Sequence, residues 1–168
     1  MTAKADRRQL ILDRLMTILS GLSVTLTDGS VIPAGNIVHN RDELPGEKVP
    51  GIILLDADEV RDARFPSNQG RSERPSPGMM RMTPEIYVVL NVRKPHNTNV
   101  GEDLNLVRAA ILDLVLHDKP LQAFTGSGGT ISLDGCYTDL ARNRQMKGQM
   151  GLSICFGYPF IPDEFAAA

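Results

Sequence analysis

Between residues 145 and 160 the chain alternates with a period of two. Met146, Gly148, Met150, Leu152, Ile154, Phe156, Tyr158 and Phe160 hold one parity, and Gln145, Lys147, Gln149, Ser153 and Cys155 hold the other. Successive side chains of an extended strand point to opposite faces. The pattern therefore specifies a strand with one face in a core and the other toward water. Strands of that kind belong to antiparallel sheets, since parallel strands buried on both faces read as unbroken apolar runs. So long a strand needs long neighbours, and its apolar face needs a cover.

Candidates for both are present. Met82, Pro84, Ile86, Val88, Leu90 and Val92 share a parity opposed by Glu85, Asn91 and Arg93, which predicts a second long strand with Pro84 at its start or at an edge. Residues 51–55, Gly-Ile-Ile-Leu-Leu, form a short continuous apolar run that suits a strand buried on both sides. Residues 131–140 read as a strand interrupted at Asp134-Gly135, and 37–41 as a short extended piece. Thr27-Asp28-Gly29-Ser30 marks a tight turn within 24–32.

The cover comes from two amphipathic helices. Over residues 6–21, Ile11, Leu15, Ile18 and Leu22 recur at helical spacing, Leu12 and Leu19 widen the stripe, and Gly21 terminates it. Over residues 101–117, Leu104, Val107, Ile111, Leu114 and Val115 make the stripe, with Asp103, Arg108 and Asp113 as polar interruptions. Glu102 and Asp103 favour its N-terminal end, His117 its C-terminal end, and Pro120 blocks continuation. The expected fold is α+β: two amphipathic helices packed on one antiparallel or mixed β-sheet, in a single domain over 1–168. No internal repeat is evident, and 162–168 reads as a frayed end.

One segment departs from this economy. Residues 56–81 hold Asp56, Asp58, Glu59, Asp62 and Glu73 against Arg61, Arg64, Arg71, Arg74 and Arg81, and Pro66, Gly70, Pro75, Pro77 and Gly78 break it repeatedly. It has too few apolar residues to hold itself together and is long for a connection inside a domain. It reads as an extended loop, or an arm ordered by a partner. Residues 42–50, with two prolines, read as an ordinary loop.

With 168 residues and 42% hydrophobic content the chain can build a real core, which excludes disordered and collagen-like classes. Its formal charge of −2 carries no global signal for nucleic acid or anionic membranes. No apolar run reaches the roughly 18–20 residues of a membrane span, and the N-terminal residues read as a helix, not a signal peptide. Cys136 and Cys155 are too few for a disulfide framework and fit a reducing compartment.

Chemical motifs are sparse. His39, His96 and His117 stand apart, and His117 reads as a helix cap. Neither cysteine has a base nearby in sequence. Gly126-Ser127-Gly128-Gly129 lacks the following helix and lysine of a phosphate loop and reads as a flexible turn. Asp56, Asp58 and Glu59 follow a buried strand, a position that suits catalytic or metal carboxylates, yet Arg61 and Arg64 balance their charge. Arg142, Arg144 and Lys147 form the densest basic patch, at a hairpin tip suited to phosphate contact or to acidic groups of a neighbouring subunit, the second reading being favoured. No catalytic residue, metal site or cofactor is expected, and the inventory points to assembly through surfaces.

The order of pieces also resembles a known family. The N-terminal helix running into Gly21 and Leu22, the Leu44-Pro45 loop before Ile52-Ile53-Leu54-Leu55, the stretch Glu85-Ile86-Tyr87-Val88-Val89-Leu90-Asn91-Val92, the helix Leu104–Ile111 and the closing Met150-Gly151-Leu152-Ser153-Ile154-Cys155-Phe156-Gly157-Tyr158 are together similar to the tail terminator (minor tail protein U-like, tail completion) proteins of tailed bacteriophages. The resemblance covers nearly the whole chain in layout. It implies a structural virion protein with no catalysis, made in the host cytoplasm. Such a protein forms a ring, typically a hexamer, on the end of the tail tube, stops tube polymerisation and offers its other face to the neck or head-completion protein. DNA passes through the channel without sequence-specific binding. Within that expectation Asp56, Asp58, Glu59, Arg61, Arg64, Arg71, Arg74, Arg142, Arg144 and Lys147 are the candidate inter-subunit or inter-ring contacts. The alternatives are a head–tail connector or stopper of the neck, a small metal-dependent hydrolase using Asp56 and Asp58, and a nucleic-acid-binding module centred on Arg142, Arg144 and Lys147.

Overall fold

The period-two segment forms β7 (Lys147–Phe160), and the rest of the sheet is arranged around it. The computed structural model describes residues 6–63, 78–91, 100–140 and 147–161. On one side of β7 lies β6 (Thr130–Leu140), antiparallel, with a bulge between Leu133 and Gly135 at the Asp-Gly interruption. On the other side lie β4 (Gly78–Met82) and β5 (Glu85–Asn91). Both are antiparallel to β7, and Met82 opposite Phe156 and Glu85 opposite Ser153 fall on one continuous register. The two are halves of one long strand. The break at Thr83–Pro84 separates what the alternation alone read as a single strand beginning near Met82, because the proline nitrogen has no hydrogen to donate to a ladder.

Beyond that strand lie β2 (Gly51–Leu55), antiparallel to β5, and β3 (Glu59–Arg61), antiparallel to β4. The 56–81 segment read as a loop or arm therefore enters the sheet at both ends: the few apolar residues there, Val60, Met79 and Met80, suffice because they add to an existing ladder. Its middle, 64–77, lies outside the described residues, as does 162–168. A short β1 (Ile37–His39) runs parallel to β2 and makes the sheet mixed.

All the helices pack on one face. α1 (Arg7–Ser20) starts at Asp6, whose side chain accepts from the Arg8 N–H, and stops at Gly21. α2 (Val100–His117) packs over β5, β6 and β7. A third helix, α3 (Lys119–Thr125), was not expected from the sequence beyond Pro120. Its signature is Asp118 as N-cap, accepting from Leu121 N–H at 2.8 Å, with proline in the first turn, where the missing N–H costs nothing. Asp118 also receives a forked Arg14 guanidinium, Nη2 to Oδ2 at 2.6 Å, which fastens α3 to α1. The Arg14 bonds hold its carboxyl below the usual carboxylate range in spite of partial burial.

The core lies between these helices and one parity of the sheet: Ile52, Leu54, Ile86, Val88, Leu90, Met150, Leu152, Ile154, Phe156 and Tyr158 meet Ile11, Leu12, Leu15, Leu104, Val107 and Ile111. Asp103, read as a polar interruption, is fully buried: it accepts from Thr27 N–H at 2.7 Å and Thr27 Oγ1 at 3.1 Å, and so pins the 25–31 turn to α2. The opposite face carries a smaller apolar cluster of Val38, Leu44, Ile53 and Val89, with Leu44 folded over from the 42–50 loop.

Candidate functional site

Parallel pairing of β1 and β2 sets His39 opposite Leu54, which brings the next acidic residue, Asp56, up to the imidazole. His39 Nε2 and Asp56 Oδ1 are 2.5 Å apart. Asn40, in the left-handed region with φ 49°, bridges the same two strands: its N–H donates to Leu54 O and its side-chain oxygen accepts from Asp56 N–H, both at 2.9 Å. Arg8 donates to Ala57 O at 3.1 Å and stands 3.9 Å from Asp56 Oδ2. Burial alone would raise the Asp56 pKa. Hydrogen bonds from Asn40 and His39 and the charges of His39 and Arg8 outweigh it, and the group stays below its ordinary value.

His39 was read as an isolated histidine, and this pairing corrects that. The sequence signal that could have found it is the combination of an extended piece at 37–41 with a buried strand at 51–55. Partners across a parallel pair, however, have no fixed sequence spacing. A carboxylate-bound imidazole can act as a base where a substrate proton lies within reach, and here the pair also knots two strand ends to α1. Among the described residues no three His, Cys, Asp or Glu side chains gather into one group.

The remaining acidic candidates separate. Asp58 is exposed. Glu59 accepts from the Tyr158 hydroxyl at 2.5 Å; burial and that bond push the tyrosine well above its usual pKa. Arg61 sits on β3 with its guanidinium against Gly78. Arg64, Arg71, Arg74, Arg142 and Arg144 lie outside the described residues, and Lys147 opens β7 opposite Asn91. Arg61 aligns with Met80 and Tyr158, at the other end of β7 from Lys147. At about 3.3 Å per residue these two candidates are about 36 Å apart along the strand. Among the described residues, Arg61 and Lys147 thus stand at two separate places.

Open sheet edges are the other prominent feature. Among the described residues β6 pairs with β7 alone, through ten of its eleven residues, β3 pairs with β4 alone, and the short β1 pairs with β2 alone. Leu133 and Tyr137 on β6 and Val60 on β3 are 36%, 49% and 46% exposed. Tyr137 also holds β6 in place on the face away from the helices. Its ring occupies the position a Cβ at Gly151 would take, and it meets Tyr87 edge-on with centroids 5.9 Å apart. The Tyr87 hydroxyl bonds with Tyr137 and Glu85, which raises its pKa well above the ordinary value. Beside Tyr87, the 41–44 loop and Ile53, Leu55 and Val89 enclose an open cavity of about 360 Å³, with Arg41, Asp42 and Glu43 on its rim.

The two cysteines are free and apart: on adjacent strands, Cys136 opposes Leu152 and Cys155 opposes Ser132, so they fall on different faces. Cys155 was placed on the polar parity of β7 and is nevertheless buried there. No helix of the described residues is long and apolar enough to cross a membrane. No protein-family model matches the chain, and no curated protein sequence matches it.

Proposed function

We propose that the protein is a ring-forming structural component of a tailed-phage virion, which caps the tail tube, ends its growth and joins it to the neck. The observation that carries this reading is a sheet covered by helices on one face that, among the described residues, is open along β6 on one side and along β3 and the short β1 on the other. A surface of that kind suits repeated association of identical copies. A closed ring uses the two joining edges of every copy and leaves neither to propagate, which is the property a terminator of polymerisation requires. The layout resemblance supplies the virion role, and the separation of Asp56 on His39 from Glu59 on Tyr158, with Asp58 exposed, supports surfaces over a chemical centre.

The test is electron microscopy of the purified protein mixed with tail tubes of the same virus. The expected result is a ring of added density at one tube end and tubes that no longer elongate when tube subunits are supplied. Binding to the portal side in place of the tube end would establish the neck-stopper reading. Absence from both would overturn the proposal.

A further inference from the structure

We propose that copies of this chain join head to tail by adding the β6 edge of one copy to the β3 edge of the next, continuing the sheet across the interface. The inference rests on the ring reading and deepens it by naming the seam.

Strand polarity comes first. β3 is antiparallel to β4, β4 to β7, and β7 to β6, so β6 and β3 run in opposite directions at the two sides of one sheet. Placing a second copy beside the first with the same face toward the helices sets β6 next to the neighbour's β3 in antiparallel orientation. No flip of the sheet is needed, and the helical layers of the two copies stay on the same side. A contact between two unlike edges is heterologous, and heterologous contacts are the ones that generate rings.

The edges themselves fit this use. β6 contains no lysine, arginine or proline, the usual blockers of edge pairing; its one irregularity is the bulge at Asp134. Its charged side chains, Asp134 and Asp139, are both acidic, while β3 carries Arg61 together with Glu59, whose carboxylate accepts from the Tyr158 hydroxyl. Three of the six large hydrophobic side chains that the described residues expose lie on these two strands: Leu133, Tyr137 and Val60. β1 covers the edge of β2 at Ile52–Leu54 and stops short of β3. The seam is short at β3. A single contact of that size is weak, and a closed ring in which each copy makes two has a cooperative advantage that an isolated pair lacks.

The experiment uses two full-length variants. Leu133→Lys with Thr138→Lys blocks β6 and leaves β3 intact; Val60→Lys blocks β3 and leaves β6 intact. All three positions are exposed, and circular dichroism with melting curves checks that both variants fold. Assembly is read by sedimentation velocity and by occupancy of tube ends. The wild type is expected to form rings, and each variant alone to remain monomeric and fail to cap. An equimolar mixture is expected to yield pairs and nothing larger, because one intact β6 can meet one intact β3. If either folded variant assembles as the wild type does, the seam is wrong while the ring stands. If only the β6 variant is impaired, the contact is a symmetric β6–β6 pair and the head-to-tail seam is overturned. If the wild type neither forms rings nor caps tubes, the ring reading falls and the seam with it.

Discussion

Gly151 and Tyr137 are predicted to be coupled so strongly that one substitution changes sign with its background. A Cβ at 151 would occupy space held by the Tyr137 ring, whose atoms are its nearest neighbours, and the backbone at 151 is not left-handed, so that ring is what opposes alanine first. Tyr137 is 49% exposed, which leaves about half of a tyrosine surface buried, on the order of 100 Å². At about 25 cal/mol per Å² that burial is worth roughly 2.5 kcal/mol, and the edge-on contact with Tyr87 adds about 0.5–1.5 kcal/mol. Tyr137→Ala should therefore cost about 3–4 kcal/mol, or roughly 6–16 °C in Tm for a chain of this length. Gly151→Ala in the wild type displaces the ring and should cost about 1–2 kcal/mol. In the Tyr137→Ala background the space is open, and alanine should stabilise by about 0.5–1 kcal/mol, because glycine loses more chain entropy on folding into a strand. Urea unfolding of the four proteins measures the cycle. An equal penalty for Gly151→Ala in both backgrounds would refute the packing argument and with it the view that Tyr137 fastens β6.

Two further outcomes follow from groups whose surroundings cannot yield. Gly51→Ala should prevent accumulation of folded protein or cost about 3 kcal/mol or more, since its Cβ would meet the carbonyl oxygens of Lys48 and Asn36 and the Leu44 methyl; recovery of soluble protein and its urea midpoint report this. Tyr87 is raised by its bonds to Tyr137 and Glu85, and Tyr158 by burial and its bond to Glu59. Two of the three tyrosines should then keep their protons past the ordinary value of about 10 until the protein unfolds. With no tryptophan in the chain, absorbance at 295 nm follows them directly. The sign of the linkage is set by the raised folded pKa: these protons favour the fold below the ordinary value, and the benefit is lost as pH rises through the folded one, so stability declines on the alkaline side. Normal titration of all three in folded protein would contradict both bonds.

What was legible in the sequence was whatever repeats locally. The alternation in 145–160 gave β7 and its buried parity, and the stripe from Ile11 to Leu22 gave α1, because helix and strand periods are written into consecutive residues. The 51–55 run gave a strand buried on both sides, although the cover on its second side, Leu44 from the loop before it, could not be read. α3 escaped attention because seven residues hold less than two turns of apolar pattern; only the Asp118-x-Pro120 start announces it. β3 and β4 escaped because their composition is that of a loop, and they become strands by pairing with neighbours already in place. Asp103 looked like a surface charge since its partner, Thr27, is remote in sequence.

The candidate site was hidden for a related reason, and the reason bears on function. Every relation that matters there is a cross-strand one: His39 reaches Asp56 through a parallel register, Glu59 reaches Tyr158 across β4, and Tyr137 covers Gly151 across a single ladder. None has a fixed spacing, so residue types alone could not reveal them. The edges are a different matter, because an open edge is defined by what fails to pair, and a sequence records no such failure. Yet β6 carries a readable trace of it. A strand already committed to solution would be expected to hold lysine or proline along its free side. Threonine, serine, aspartate, cysteine and tyrosine stand there with two exposed apolar side chains. A long edge left without those blockers is tolerable in a chain whose edge is covered in its working state, and the proposed cover that matches its strand polarity is the β3 edge of another copy.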